Sequence, residues 1–186
     1  QRTQDRELKA FRDICDDLKI LEKYEIDIPF FTQIGASALT DKTIDVPTGG
    51  IEAGVPITYV PFRNGIFLSI TAAIAEKEGA TAMYIGVVQE DSSGYPDCTD
   101  QFIQDITKAI NQGTKEETKI EIITPLVHLT KAQIVEEAIK LNVPLEHTWS
   151  CYKEEEVACG VCDSCRLRLN GFKIAGVKDP IPYKVL

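Results

Sequence analysis

Four cysteines, Cys151, Cys159, Cys162 and Cys165, stand in the order C-x7-C-x2-C-x2-C within a chain of 186 residues. This spacing lets four thiolates meet on one tetrahedral ion, which forces the segment to fold back on itself. The glycine of Cys159-Gly-Val-Cys162 lets the backbone turn tightly enough for two sulfurs to face one ion. Cys162 and Cys165 are three apart and suit the first turn of a helix. Two disulfides, four free thiols or an iron–sulfur cluster are the alternatives, although ferredoxin patterns order their gaps differently. With no histidine in the set and no open position, the expected ion is a structural zinc, and any chemistry lies elsewhere.

The length suits one domain with a substantial core. Twenty Lys and Arg against twenty-nine Asp and Glu give a net charge of −9, which argues against nucleic acid as a partner. No apolar run of about 18 residues occurs, and no charged-then-apolar leader, so neither membrane nor export is expected and the cytoplasm is the default. Reduced thiols on zinc fit that compartment. The chain begins Gln-Arg-Thr-Gln without methionine, and its first periodic element is a helix with no strand before it. A preceding native segment is therefore expected.

Apolar residues Leu8, Phe11, Cys15, Leu18 and Leu21 recur at spacings of 3 or 4 and predict a helix from Gln4 to about Tyr24, with Cys15 a small buried hydrophobe. Residues 28–34 read as a strand. Residues 35–62 carry Gly35, Pro47, Gly49-Gly50 and Gly54-Val-Pro56 and form an unusually long connection of the lid or binding kind, with Ile51, Val55, Ile57 and Val60 available for docking. Arg63 to Gly79 predicts a helix that is buried at its N-terminal half and ends on a glycine cap. Residues 83–88 form an apolar run expected to be covered on both faces. A helix over about 99–111, a strand over 120–124 and a helix opening with the capping box Thr130-Lys-Ala-Gln133 and running to about Leu141 follow. This alternation predicts an α/β fold with a parallel sheet flanked by helices.

In such sheets ligands sit beyond the carboxyl ends of the strands. Three places there are chemically unusual: the pair Arg63-Asn64, the polar loop Gln89 to Cys98, and Lys131 at a helix start, where a cation opposes the helix dipole and hints at a bound anion. Each also has a plain surface reading. His128 and His147 have neither metal nor catalytic spacing and read as structural. The chain lacks G-x-S-x-G, G-x-x-x-x-G-K-[ST] and G-x-G-x-x-G.

Tyr59-Val-Pro-Phe-Arg-Asn64, the stretch Gly86 to Cys98 with Ser93-Gly-Tyr-Pro-Asp-Cys98, Thr124-Pro-Leu with Lys131, and the cysteine-rich Ser150 to Cys165 run in order along the chain. Together they resemble the 7-cyano-7-deazaguanine synthase (QueC) family of the pyrophosphatase-loop superfamily. The resemblance implies an adenine nucleotide alpha hydrolase-like fold over 1–145, lacking its first strands and S-G-G-x-D-S loop, with a zinc-binding segment over 146–186 packed on it. It also implies a carbon–nitrogen ligase that uses ATP with Mg2+ and ammonia to turn 7-carboxy-7-deazaguanine into a nitrile in queuosine biosynthesis, and that acts as a homodimer to which residues 51–62 contribute. By the same resemblance Lys131 and Arg63 are catalytic, facing ATP or the acyl-adenylate, Gly86 and Asn64 contact the nucleotide, and Asp91, Tyr95 and Asp97 contact the deazaguanine or position ammonia. The chain departs from the family in having Thr99 where relatives tend to have arginine, and in a first cysteine gap one residue short. The alternatives are another adenylating enzyme of the superfamily, such as a tRNA thiolase or synthetase, and a non-catalytic zinc-binding interaction module.

Overall fold

The computed structural model describes residues 2–50, 54–89 and 94–185. Among these, in chain order, lie helices α1 (Gln4–Asp17), α2 (Phe30–Ile34) and α3 (Arg63–Glu78), strand β1 (Ala82–Tyr84), helix α4 (Asp100–Gly113), strand β2 (Glu121–Ile123), and helices α5 (Lys131–Lys140) and α6 (Asp163–Ile174). The chain divides into two compact units that interleave in sequence. One comprises Gln1–Glu52, Ile57–Val60 and Lys131–Leu186, the other Ala53–Pro56 and Pro61–Thr130. The expectation above cut the chain once, at 145/146.

The second unit is a β-α-β crossover built on a parallel pair, with Ala82 opposite Glu121, Met83 opposite Ile122 and Tyr84 opposite Ile123. Backbone pairing continues past the strand ends, since Ile85 N–H donates to Ile123 O and Gln89 N–H to Val127 O. Helix α3 buries Gly65, Leu68, Ala72 and Ala75, one stripe at spacings of 3 and 4 along its whole length and not its N-terminal half alone. Gly79, left-handed at φ 68°, caps it as expected. Helix α4 turns Ile103 and Ile110 inward, and these join Leu68, Met83, Val87, Ile120 and Ile122 in one core. Asn111 stitches α4 to the start of β2, its side chain donating to Ile120 O and accepting from Ile120 N–H. The apolar run 83–88 is not covered on both faces: Met83 and Val87 are buried while Tyr84 is 71% exposed. A side chain that alternates out of the core with period 2 explains the difference.

In the first unit α1 buries Ala10 and Cys15 but stops at Asp17, because Lys19 turns left-handed at φ 56°. Leu18 and Leu21, placed on the buried face by periodicity, are exposed. Residues 28–34 do not form a strand. Pro29 adopts helical backbone angles, α2 follows it, and Gly35 at φ 63° ends the turn; Phe30 and Phe31 stack ring on ring. Much of the long connection docks as part of the body and not as a lid. Ser37, Ala38, Leu39, Val46, Thr58 and Val60 are buried, whereas Val55 and Ile57 are exposed. Arg2 fastens it, donating from Nε to Ala38 O and from its terminal nitrogen to Lys42 O and Ile44 O. No described helix is long and apolar enough to cross a membrane.

Candidate functional site

The first unit closes around sulfur. Cys151, Cys159, Cys162 and Cys165 are all buried free thiols, and their Sγ atoms lie within 4.8 Å of one another. Cys151 arrives on the loop after Trp149, whose indole N–H donates to Glu154 O and whose ring carries the Arg6 guanidinium 4.6 Å from its centroid. Cys159 opens the knuckle, Cys162 is the N-cap of α6 and Cys165 sits in its first turn. Several backbone amides point at sulfur: Lys153 and Cys159 donate to Cys151 Sγ, and Cys162 donates to Cys159 Sγ.

Four thiols this close cannot ionise independently. Hydrogen bonds from the Cys162 and Cys165 thiols, with the two amides, hold Cys151 far below the usual thiol range against the opposing effect of burial. That charge pushes Cys162 up to about 11 and Cys165 higher still. A cation among the sulfurs removes the conflict, since it stabilises every thiolate at once. The donor set, its burial and the inward amides therefore fit a closed zinc site. Among the described residues these four are the only group of three or more His, Cys, Asp or Glu whose ligand atoms converge in this way.

The chain after α6 returns to brace the centre. Ala158 pairs with Tyr183 in a short parallel bridge, Ala158 N–H donating to Pro182 O and Lys184 N–H to Ala158 O. Gly160 is left-handed at φ 78°, and a Cβ there would lie 1.8 Å from Val185 O. Only glycine satisfies both the turn and that approach. Arg168 of α6 grips Asp179 with both forks at 2.6 and 2.9 Å and donates to Thr148 Oγ1, while the Tyr183 hydroxyl donates to Asp179 Oδ2. Burial raises the Asp179 carboxyl, but the hydrogen bonds from Arg168 and Tyr183 outweigh it and hold the group below its ordinary value. Burial and the neighbouring carboxylate push the Tyr183 phenol up.

Lys131, half-buried, is the first residue of α5. Among the described residues helix α5 packs on α6 more extensively than any other pair of elements pack, and Gly171 of α6 meets Lys131 at close range.

The second unit brings several of the expected residues together. Arg63 and Asn64 open α3, whose N-cap Phe62 is left-handed and offers no capping side chain. Asp97 supplies the missing acceptor from another element: Asn64 N–H donates to its Oδ2 at 2.9 Å, and Asn64 Nδ2 donates to Asp97 O and Cys98 Sγ at 3.2 Å each. A carboxylate at a helix N-terminus is favourable. Asp97, 4% exposed, thus anchors the loop to α3. Tyr95 packs half-buried against the unit's core, and Gly86 lies exposed beyond β1. Asp91 lies outside the described residues. Gly94 at φ 76° sits where a Cβ would be 2.5 Å from Gly54 O, so the segment around Gly54 closes on the loop. Thr99, the departure from the family pattern, caps α4 by accepting from Phe102 N–H. His128 is exposed and His147 half-buried. Gly171 and the Arg168–Asp179 pair escaped the sequence reading. The sole signal for the glycine is its lack of a side chain, and the ion pair spans a spacing with no periodic meaning.

The chain thus has the makeup of an α/β enzyme that also carries a metal site: a parallel β-α-β crossover in one unit and, in the other, four buried thiols whose sulfurs converge. The family model described as "Queuosine biosynthesis protein QueC" matches residues 1–176. Proteins named 7-cyano-7-deazaguanine synthase align with the chain over almost its whole length. That of Aliarcobacter butzleri is 87% identical over 184 residues, covering 99% of this chain and 81% of the relative. Those of Nautilia profundicola and Sulfurovum sp. are 71% and 69% identical, each over 99% of this chain and 83% of the relative. The chain belongs to the QueC family of queuosine biosynthesis enzymes.

Proposed function

We propose that the chain converts 7-carboxy-7-deazaguanine and ammonia to 7-cyano-7-deazaguanine with consumption of ATP, acting in the cytoplasm as a homodimer. The observation that carries this reading is the near-complete alignment with relatives named for that product at 87% identity. A carboxylate is a poor electrophile because oxide is a poor leaving group. Attack of the carboxylate oxygen on the α-phosphorus of ATP releases pyrophosphate and turns that oxygen into a good leaving group. Ammonia displaces it as AMP and sheds a proton to give the amide. The amide oxygen then attacks a second ATP, again releasing pyrophosphate, and departs as AMP while the nitrogen loses its two protons to leave the nitrile.

The task of the chain is to hold polyanions and offset charge at the transferring phosphorus. Lys131 and Arg63 supply the cations, Asn64 and Gly86 border the nucleotide, and Asp91 and Tyr95 meet the deazaguanine. Asp97 contributes by holding the substrate loop on α3, the role its buried carboxylate supports. Mg2+ enters on the phosphates of ATP, as is common for this ion. Zinc on Cys151, Cys159, Cys162 and Cys165 supplies rigidity and no chemistry, consistent with a set that leaves no open position. The net charge of −9 favours a small substrate over a tRNA.

Full-length protein incubated with ATP, ammonia and the carboxylic acid yields the nitrile and AMP by mass spectrometry. Formation of neither product from protein with a full complement of zinc would overturn the reading.

A further inference from the structure

Helix α6 comes close to α5 at Lys131. Gly171, buried in α6, faces Lys131 so closely that a Cβ at 171 would lie 2.9 Å from Lys131 Cβ and 3.1 Å from both Lys131 C and O. None of these atoms is the free end of a flexible chain. An added methyl has to move the backbone of α5 or of α6. Lys131 is the first residue of α5, so the backbone that would move also aims its ammonium. Helix α6 has little freedom to yield. Its N-cap is Cys162 and its first turn carries Cys165, Arg166 donates to Val161 O and Thr48 O, and Arg168 is clamped on Asp179. The displacement therefore falls on Lys131.

We infer that Gly171 is a positioning residue for Lys131: its missing side chain lets α5 sit down on the helix that rises from the four-cysteine centre, and this contact sets where the lysine ammonium is presented. The inference rests on the reading of Lys131 as an ATP-facing cation. It also gives the sulfur centre a task in the reaction, since the helix it fixes is the surface against which the lysine is placed.

The test uses the full-length protein and an acyl-phosphate derivative of ATP, which transfers its acyl group to a lysine amine near the phosphates and releases the nucleotide. Labelling at residue 131 is followed by mass spectrometry beside kcat, KM for ATP, zinc content and Tm. Gly171→Ala should keep one zinc per chain, slow Lys131 labelling and lower kcat by up to about 10-fold, less than the roughly 100-fold penalty of a full 1 Å misplacement, since the close approach asks the neighbour to give by only a few tenths of an ångström. Unchanged labelling and kcat in that variant overturn the proposal. Lys131→Ala separates the two claims: if it turns over normally, the role assigned to Lys131 fails, while the labelling rate in Gly171→Ala still decides whether the glycine places the lysine. Should Gly171→Ala not fold, Phe172→Leu decides. It removes packing from α6 without adding an atom beside Lys131, so Tm should fall while labelling and kcat per folded molecule hold. Labelling that falls in step with Tm would attribute the effect to stability alone and overturn the proposal.

Discussion

Gly160 shows how much one residue can decide. Its positive φ costs any other residue on the order of 1–2 kcal/mol, and Val185 O occupies the space a side chain would take. Gly160→Ala is expected to destabilise the fold by more than about 2 kcal/mol and to lower metal content, as read by thermal unfolding and elemental analysis; a variant with wild-type Tm would refute this account. The cysteine spacing and the tight turn at this glycine were legible because they are local. The carbonyl of Val185 was not, since nothing near residue 160 announces that the segment following α6 will lie across it. Asp97 is the same lesson in the second unit. It stood out in the sequence as a polar residue in a loop, but its partner Asn64 belongs to another element.

Among the elements, α3 depends on a borrowed cap. Asp97→Ala leaves Asn64 N–H without its acceptor and should cost about 1–2 kcal/mol, detectable as a lower Tm with zinc content unaltered. Helix α6 depends on the Arg168–Asp179 pair, whose side chains are 12% and 3% exposed. The folded Asp179 carboxyl titrates below 3.8, so its contribution is fully present above that value and is lost as pH falls through the lower folded value. Asp179→Asn strands the Arg168 charge and should cost about 3–5 kcal/mol near neutral pH. The gap in Tm between variant and wild type should close below pH 3.8; a gap independent of pH would contradict it. Helix α4 was readable because apolar residues such as Ile103 and Ile110 recur along it and its packing agrees, whereas α3 was announced by its cap at Gly79 and α5 by its capping box. Residues 28–34 misled for the opposite reason. Their short apolar run carries no period, and Pro29 in a helical conformation begins a turn.

At the scale of the molecule, an ion bound by the four thiols would couple metal binding to the fold of the first unit. Zinc bound by thiolates in small domains contributes about 10–16 kcal/mol near neutral pH, as much as the entire stability of a typical domain at about 5–15 kcal/mol. Stripping the metal with a chelator should therefore expose Cys151, Cys159, Cys162 and Cys165 to alkylation before Cys98, which is buried in the other unit's core. Simultaneous alkylation of all would show that the two units unfold together. The fold class was visible in the alternation of elements, but the interleaving of the units was not, because it follows from pairings between distant stretches.

That interleaving gives the protein a timetable during its manufacture. The stretch Pro61–Thr130 holds nearly all of its own unit and can settle as soon as it leaves the ribosome, whereas Ala38 and Val46 must wait for Cys151 to Ile181 before their shared core can close. At about 5–20 residues per second the wait after Thr130 lasts roughly 3–10 seconds. Throughout it the nascent first half displays greasy surface without a mate, and the last cysteine to emerge is the signal that the delay is ending.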